Sequence, residues 1–318
     1  AGRLGSSFKL WVEPPVPVVK VGGSIVLTLR STCEDPAGRG DFRVAPERGR
    51  RRGPGVLELL NVSFADSAVE SFYCCYGETP TLFTNLVVYQ DPGPVTLEPV
   101  PWLRVGTAHQ LVCRVENAAP VRSLRVTLLR DSEPLNMTTF ESPEQQVADS
   151  LRVSYDLWVG RQDHGRNLSC QALLDLAPHG PQPRDTSRPQ LLQVYEFPAA
   201  PQLEPDLHVA AGEEVTTSCS VSGAFPAPRF TVTLGGRPLP LTVSQDGLRA
   251  TATLCHPEPG NLTLLCSVTV GPQERHSEAT VHVHSERGGD RGAAGWCPPD
   301  TASPSRGRRP PQASPHPG

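Results

Sequence analysis

Two cysteines, Cys113 and Cys170, constrain this chain more than any other feature. Leu111, Cys113 and Val115 alternate with more polar residues. So do Leu124, Val126 and Leu128, then Leu151, Val153, Tyr155 and Leu157, and finally Leu168, Cys170 and Ala172. Period-two alternation marks strands with one buried face. Both cysteines fall in phase with the apolar residues, one early in the run and one late. Two inward cysteines on facing sheets, with several strands between them, make a disulfide pin through a two-layer core. Asp163-His164-Gly165 lies just ahead of the second cysteine and reads as turn chemistry between strands rather than as half of a catalytic triad.

That arrangement is the immunoglobulin-type sandwich, and the chain repeats it. Val215, Thr217, Cys219 and Val221 form one alternating run. Phe230, Val232 and Leu234 form another, and Leu248, Ala250, Ala252 and Leu254 a third. Leu262, Leu264, Cys266 and Val268 follow, then Ala279, Val281 and Val283. Cys219 and Cys266 are again in phase with the apolar face. Upstream, Gly22-Gly23 precedes Ile25, Leu27 and Leu29, and Cys33 follows. The polar, Gly- and Arg-rich stretch from Glu34 to Gly55 comes next. Leu57 and Leu59, Ser71 to Cys75, and Phe83 to Tyr89 supply further strands.

The expected organisation is all-β: three tandem immunoglobulin-like sandwiches over 1–91, 92–198 and 199–285, then a Gly/Pro/Arg-rich tail over 286–318 expected to be disordered. Short junctions at 90–94 and 196–199 carry prolines and leave little freedom between sandwiches, which predicts a serial rod. Proline supports the strand-rich reading: 35 of 318 residues are Pro and one is Met, about twice the usual share of proline.

The net charge of −4 favours neither nucleic acid nor an acidic membrane as partner. Nine cysteines without Cys-x-x-Cys or zinc spacing point to disulfides and an oxidising compartment. Four Asn-x-Ser/Thr sequons, at Asn61, Asn136, Asn167 and Asn261, sit beside expected strands or turns, where glycan acceptors belong. No apolar run reaches the roughly 18 residues of a membrane span, and no signal-peptide core opens the chain. The expectation is a mature or trimmed extracellular segment: cell-surface if an anchor lies outside it, secreted otherwise.

Several longer runs resemble the intercellular adhesion molecule family. They are Trp102-Leu103-Arg104-Val105-Gly106, Cys113-Arg114-Val115-Glu116 with Ala119-Pro120, and Val126-Thr127-Leu128-Leu129-Arg130. Asp163-His164-Gly165-x-Asn167-x-Ser169-Cys170 and Leu174-Asp175-Leu176 with Pro178-x-Gly180 continue the match. Cys219-x-x-x-Gly223-x-Phe225-Pro226 extends it into the third sandwich. The resemblance covers residues 8–285. It implies a cell-surface glycoprotein that binds leukocyte integrins through its first domain.

The resemblance also implies two cystines in that first domain, from paired cysteines on strands B and F. Here the inner pair of positions falls on Leu29 and Ser71, and the outer pair on Cys33 and Cys75. Losing one such bond costs about 2–5 kcal/mol, of which Leu29 recovers on the order of 2 kcal/mol by burial. The first domain is therefore expected to be the least stable. Cys74, Cys255 and Cys297 have no obvious partners. They read as lone thiols or as sites of intermolecular bonding.

Integrins bind a ligand carboxylate at their own metal ion, a hard anionic oxygen for a hard cation. The resemblance places the acid at the end of strand C of the first domain, which here is Gly40-Asp41-Phe42-Arg43. Asp41 is the lone acid between Asp35 and Glu47. Arg39-Gly40-Asp41 also spells the triplet that another integrin class reads through both charges. The integrin-binding candidates are therefore Asp41, Arg39 and Gly40, with Glu78 next. The favoured partner is a leukocyte β2 integrin, and an Arg-Gly-Asp-reading integrin is the alternative. Asp41 read as an ordinary solvated loop acid is the bland reading. No cofactor of the chain's own is implied, since the integrin supplies the divalent cation.

The alternative function is an immunoglobulin-domain receptor or homophilic adhesion protein that binds no integrin. An enzyme is not expected, since Gly-x-Ser-x-Gly, phosphate-loop and His-Glu-x-x-His motifs are absent, and no small-molecule substrate is implied. His282 and His284 share a strand face and could bind metal, but they are out of phase with Val281 and Val283 and read as a solvent-facing pair.

Overall fold

The computed structural model describes residues 8–141, 147–256, 258–285 and 297. The tail expected to be disordered lies outside the described residues, apart from Cys297. The fold is all-β. Its helical turns among the described residues are two short 3-10 segments, Val121–Ser123 and Arg161–Asp163. No helix there is long and apolar enough to cross a membrane.

The chain separates into two compact units, 1–194 and 195–318. The first holds two pairs of larger sheets, besides small two-stranded pairings. In the leading pair, one sheet runs in the order Leu10–Glu13, Ile25–Ser31, Val56–Leu59, Gly49–Gly53. The other runs Arg39–Arg43, Ala68–Cys74, Thr81–Asn85. Alternate residues close a core of Val12, Leu27, Phe42, Leu57 and Val69. The disulfide Cys33–Cys75, with Cα atoms 6.1 Å apart, closes one end.

In the next pair the long antiparallel strands Ala108–Ala118 and Ala148–Trp158 face the sheet of Leu124–Arg130 and Asn167–Leu174. Cys113 and Cys170 join them, both fully buried. The two sandwiches of this unit meet at 90–94: Gln90 and Ala119 exchange backbone hydrogen bonds of 3.0 and 3.4 Å, and Lys20 pairs with Asp91.

The second unit has one core. Val215–Ser220 and Arg249–Leu254 lie in one sheet, and Gly260–Val270 is flanked by Arg229–Leu234 and Gln273–His284 in the other. Cys219 and Cys266 cross between them, with Cα atoms 6.5 Å apart.

One expectation needs correcting. Cys255 and Cys297 are not lone thiols: they form a fourth disulfide, with Cα atoms 5.8 Å apart. Phase analysis finds cysteines that face a core. Cys255 lies just past the end of its strand, so alternation carries no signal of its bond. Cys74 is the free cysteine among the described residues.

Candidate functional site

The Arg-Gly-Asp triplet opens a strand, not a loop. Arg39–Arg43 is the edge strand of its sheet and pairs antiparallel with Ala68–Cys74. Successive side chains on a strand point to opposite faces. Phe42 points inward and is 1% exposed. Arg39, Asp41 and Arg43 therefore share the outer face, and Gly40 faces in with Phe42.

Gly40 has a packing role of its own. A methyl group there would lie 2.4 Å from the Tyr73 ring and 2.7 Å from Leu29 Cδ2. Leu29 occupies one of the two positions where the family resemblance places an inner cystine. Its side chain is bulkier than a half-cystine, and Gly40 leaves the room it needs. Ser71, at the other position, is fully buried and its Oγ donates to Leu82 O at 3.3 Å.

The Asp41 carboxylate is partly exposed, at 33% of its side-chain surface, and already engaged. Its Oδ1 accepts from the Phe42 N–H at 2.7 Å, and its Oδ2 accepts from Arg51 Nε at 2.6 Å. Arg51 also donates to Phe42 O at 3.1 Å. Asp41 is thus a strand residue with an ion-pair partner rather than a loop residue. That partner comes from Gly49–Gly53, an edge strand of the opposite sheet. Nothing in Gly-Arg-Arg-Arg-Gly alternates between apolar and polar, so alternation carries no trace of the strand or of its role.

Around Asp41 the outer face is mixed in character. Arg43 pairs with Glu70 at 2.9 Å and its guanidinium carbon lies 5.2 Å from the centre of the Phe72 ring. Phe83, opposite Glu70 on the next strand, is 66% exposed. Arg39 makes no ion pair among the described residues and lies opposite Cys74. Glu78 is exposed and closes a tight turn in which Cys75 and Glu78 exchange backbone bonds of 2.8 and 2.9 Å. Tyr76 and Gly77 take φ of 48° and 86° there, and the Tyr76 N–H donates to Asp35 Oδ2 at 2.7 Å. Asp41 and Glu78 thus belong to one sandwich but to different features, a strand edge and a turn.

The four sequon asparagines, Asn61, Asn136, Asn167 and Asn261, are all exposed. Asp163 is buried, bonded to the Gly160 N–H at 2.8 Å and to Arg130 at 2.6 Å. Those contacts fix a turn and offer no nucleophile.

Known structures share this arrangement. An ectodomain fragment of intercellular adhesion molecule 5, comprising its first four domains, superposes with a TM-score of 0.68. It is 31% identical over 88% of this chain and 78% of that one. The chain belongs to the intercellular adhesion molecule family. A family model described as the D2 domain of ICAM-1/3/5 matches residues 201–284. Human intercellular adhesion molecule 5 is 32% identical over 86% of this chain and 31% of its own length. Intercellular adhesion molecule 1 of Pan paniscus is 33% identical over 86% of this chain and 52% of its length. Intercellular adhesion molecule 3 of Pan troglodytes is 33% identical over 89% and 53%. The chain thus spans between about a third and a half of the length of these curated relatives. A three-domain titin fragment, 13% identical with a TM-score of 0.51, shares the immunoglobulin fold alone. Like the members of this adhesion family, the chain is built from immunoglobulin folds.

Proposed function

We propose that this chain is an extracellular integrin ligand and that the outer face of its Arg39–Arg43 strand makes the contact. The observation that carries the reading is the placement of Asp41. It is a partly exposed carboxylate on an edge strand of the first sandwich, in the stretch where the family resemblance puts the integrin-binding acid. The integrin supplies the divalent cation, and Asp41 supplies the oxygen.

Arg51 must yield for that to happen. An ion pair this exposed is worth no more than about 1 kcal/mol, so an incoming cation displaces the guanidinium at little cost. The pair also holds the carboxylate in one orientation until the cation arrives. The four disulfides and exposed sequons fit an oxidising, extracellular setting.

Two variants test the contact. Arg51→Ala frees the carboxylate and is expected to tighten metal-dependent binding by up to about fivefold. Arg39→Ala separates the integrin classes. A leukocyte β2 integrin should tolerate it, whereas an integrin that reads both charges of Arg-Gly-Asp should lose most of its affinity. If neither variant moves binding to any integrin, the strand is not the contact, and Glu78→Gln tests the next acid.

A second reading is favoured by Phe83, whose exposure on the same sheet suits an apolar contact with another immunoglobulin domain. Concentration-dependent self-association that Phe83→Ser abolishes would support it.

A further inference from the structure

The strand Asp206–Ala210 runs parallel to Gln273–His284 at the edge of the third sandwich. Leu207 and Val209 are buried, so His208 between them points outward. Val281 and Val283 are buried too, so His282 and His284 point the same way. The expected solvent-facing pair is therefore a trio. His208 Nδ1 lies 3.0 Å from His284 Nε2. These two rings are within 7° of parallel, with centres 5.3 Å apart. His282, the register partner of His208, stacks on it with centres 4.8 Å apart. His282 Nδ1 lies 2.9 Å from Asn261 Oδ1. A carbonyl oxygen only accepts, so His282 donates there and keeps its lone pair on Nε2.

Two imidazole nitrogens at that separation can share a proton or share a metal ion. Metal–nitrogen bonds of about 2.0–2.1 Å place two ligand nitrogens of one ion about 2.8–3.4 Å apart, for bond angles from square-planar to tetrahedral. The observed spacing falls inside that range. We propose that His208 Nδ1 and His284 Nε2 form a bidentate site for a borderline divalent metal ion, Zn²⁺ or Cu²⁺, with water completing the coordination.

No group of three or more His, Cys, Asp or Glu among the described residues is placed to hold a metal together. The protein therefore supplies two ligands. His282 is a positioning ring, fixed by Asn261 and packed against His208. When the ion enters, one N–H···N hydrogen bond breaks and two nitrogen–metal bonds form. The ring that had donated moves that proton to its other nitrogen, where it is retained. Both imidazoles stand on strands whose other faces are locked in the core, which pre-orients the pair.

Isothermal titration of the full chain with ZnCl₂, and separately with CuCl₂, tests this. One equivalent of metal is expected to bind. His208→Ala and His284→Ala should each weaken that event by at least about tenfold, and His282→Ala by less. Electron paramagnetic resonance of the copper-loaded chain should show two coordinated nitrogens. None of the three side chains belongs to the core, and circular dichroism of each variant checks that it is folded. Failure to bind either ion more tightly than about 1 mM overturns the site. So does binding that His208→Ala and His284→Ala leave unchanged, or that His282→Ala alone abolishes.

Discussion

Gly40 sits where a methyl group has no room. The obstacles are the Tyr73 ring and the Phe72 carbonyl on the neighbouring strand and Leu29 on the opposite sheet. Gly40→Ala should therefore lower stability by about 1–3 kcal/mol through overpacking, read as a shift in the urea midpoint at unchanged slope. If stability stays constant while Arg-Gly-Asp-dependent binding is lost, the glycine serves recognition instead. The triplet itself is legible in the sequence. The reason for its glycine is not, because Leu29 is brought to it by the fold. The same holds for Asp41, a lone acid by inspection whose partner Arg51 reaches it from another sheet.

Strands that face a core declare themselves, and strands that do not are silent. Cys113, Cys170, Cys219 and Cys266 were all placeable because each shares a phase with buried Leu, Val or Ala on its own strand. Gly49–Gly53 offers no such phase. It is an edge strand whose three central arginines are all exposed. The Cys255–Cys297 bond is silent for a related reason, since neither end is held by a core-facing strand. Turn chemistry was legible in kind but not in energy. Asp163 of Asp163-His164-Gly165 is 3% exposed and anchors both the Gly160 N–H and Arg130. Asp163→Ala leaves Arg130 with Glu133 as its remaining partner, at 3.1 Å, but strips the Gly160 N–H of its acceptor, and should cost about 1–3 kcal/mol. Chemical denaturation of the parent and the variant measures the difference, and a loss below about 1 kcal/mol would reduce the pair to a surface contact.

At the scale of the molecule, stability is expected to be uneven. The first sandwich carries one cystine where the family resemblance implies two, and it leans on exposed ion pairs. Tyr76 and Ala37 N–H groups hold the Asp35 carboxyl below its ordinary value. Arg52 does the same for Glu58. At Asp66 burial pushes the carboxyl up, but Ser63 and Arg48 outweigh it and the net shift is downward. Carboxyls lowered in the folded state stabilise it above their ordinary value near pH 4. That contribution fades as pH falls through their lower folded values. Calorimetry from pH 5 downward, through the region around pH 4, should show the first transition moving to lower temperature. Asp66→Asn should flatten that slope and leave the later transitions in place.

The proposed adhesion through the first sandwich rests on one oxygen, from Asp41, reaching one cation. The most direct measurement is surface plasmon resonance of the parent and Asp41→Asn chains over immobilised β2 and Arg-Gly-Asp-reading integrins, in manganese and in chelator. Asn keeps the size and polarity of Asp41 and removes the charge the cation needs. Binding by the parent in manganese alone, lost in Asp41→Asn with the fold and disulfides intact, is the expected result. Equal binding by the two chains to every integrin tested would contradict it.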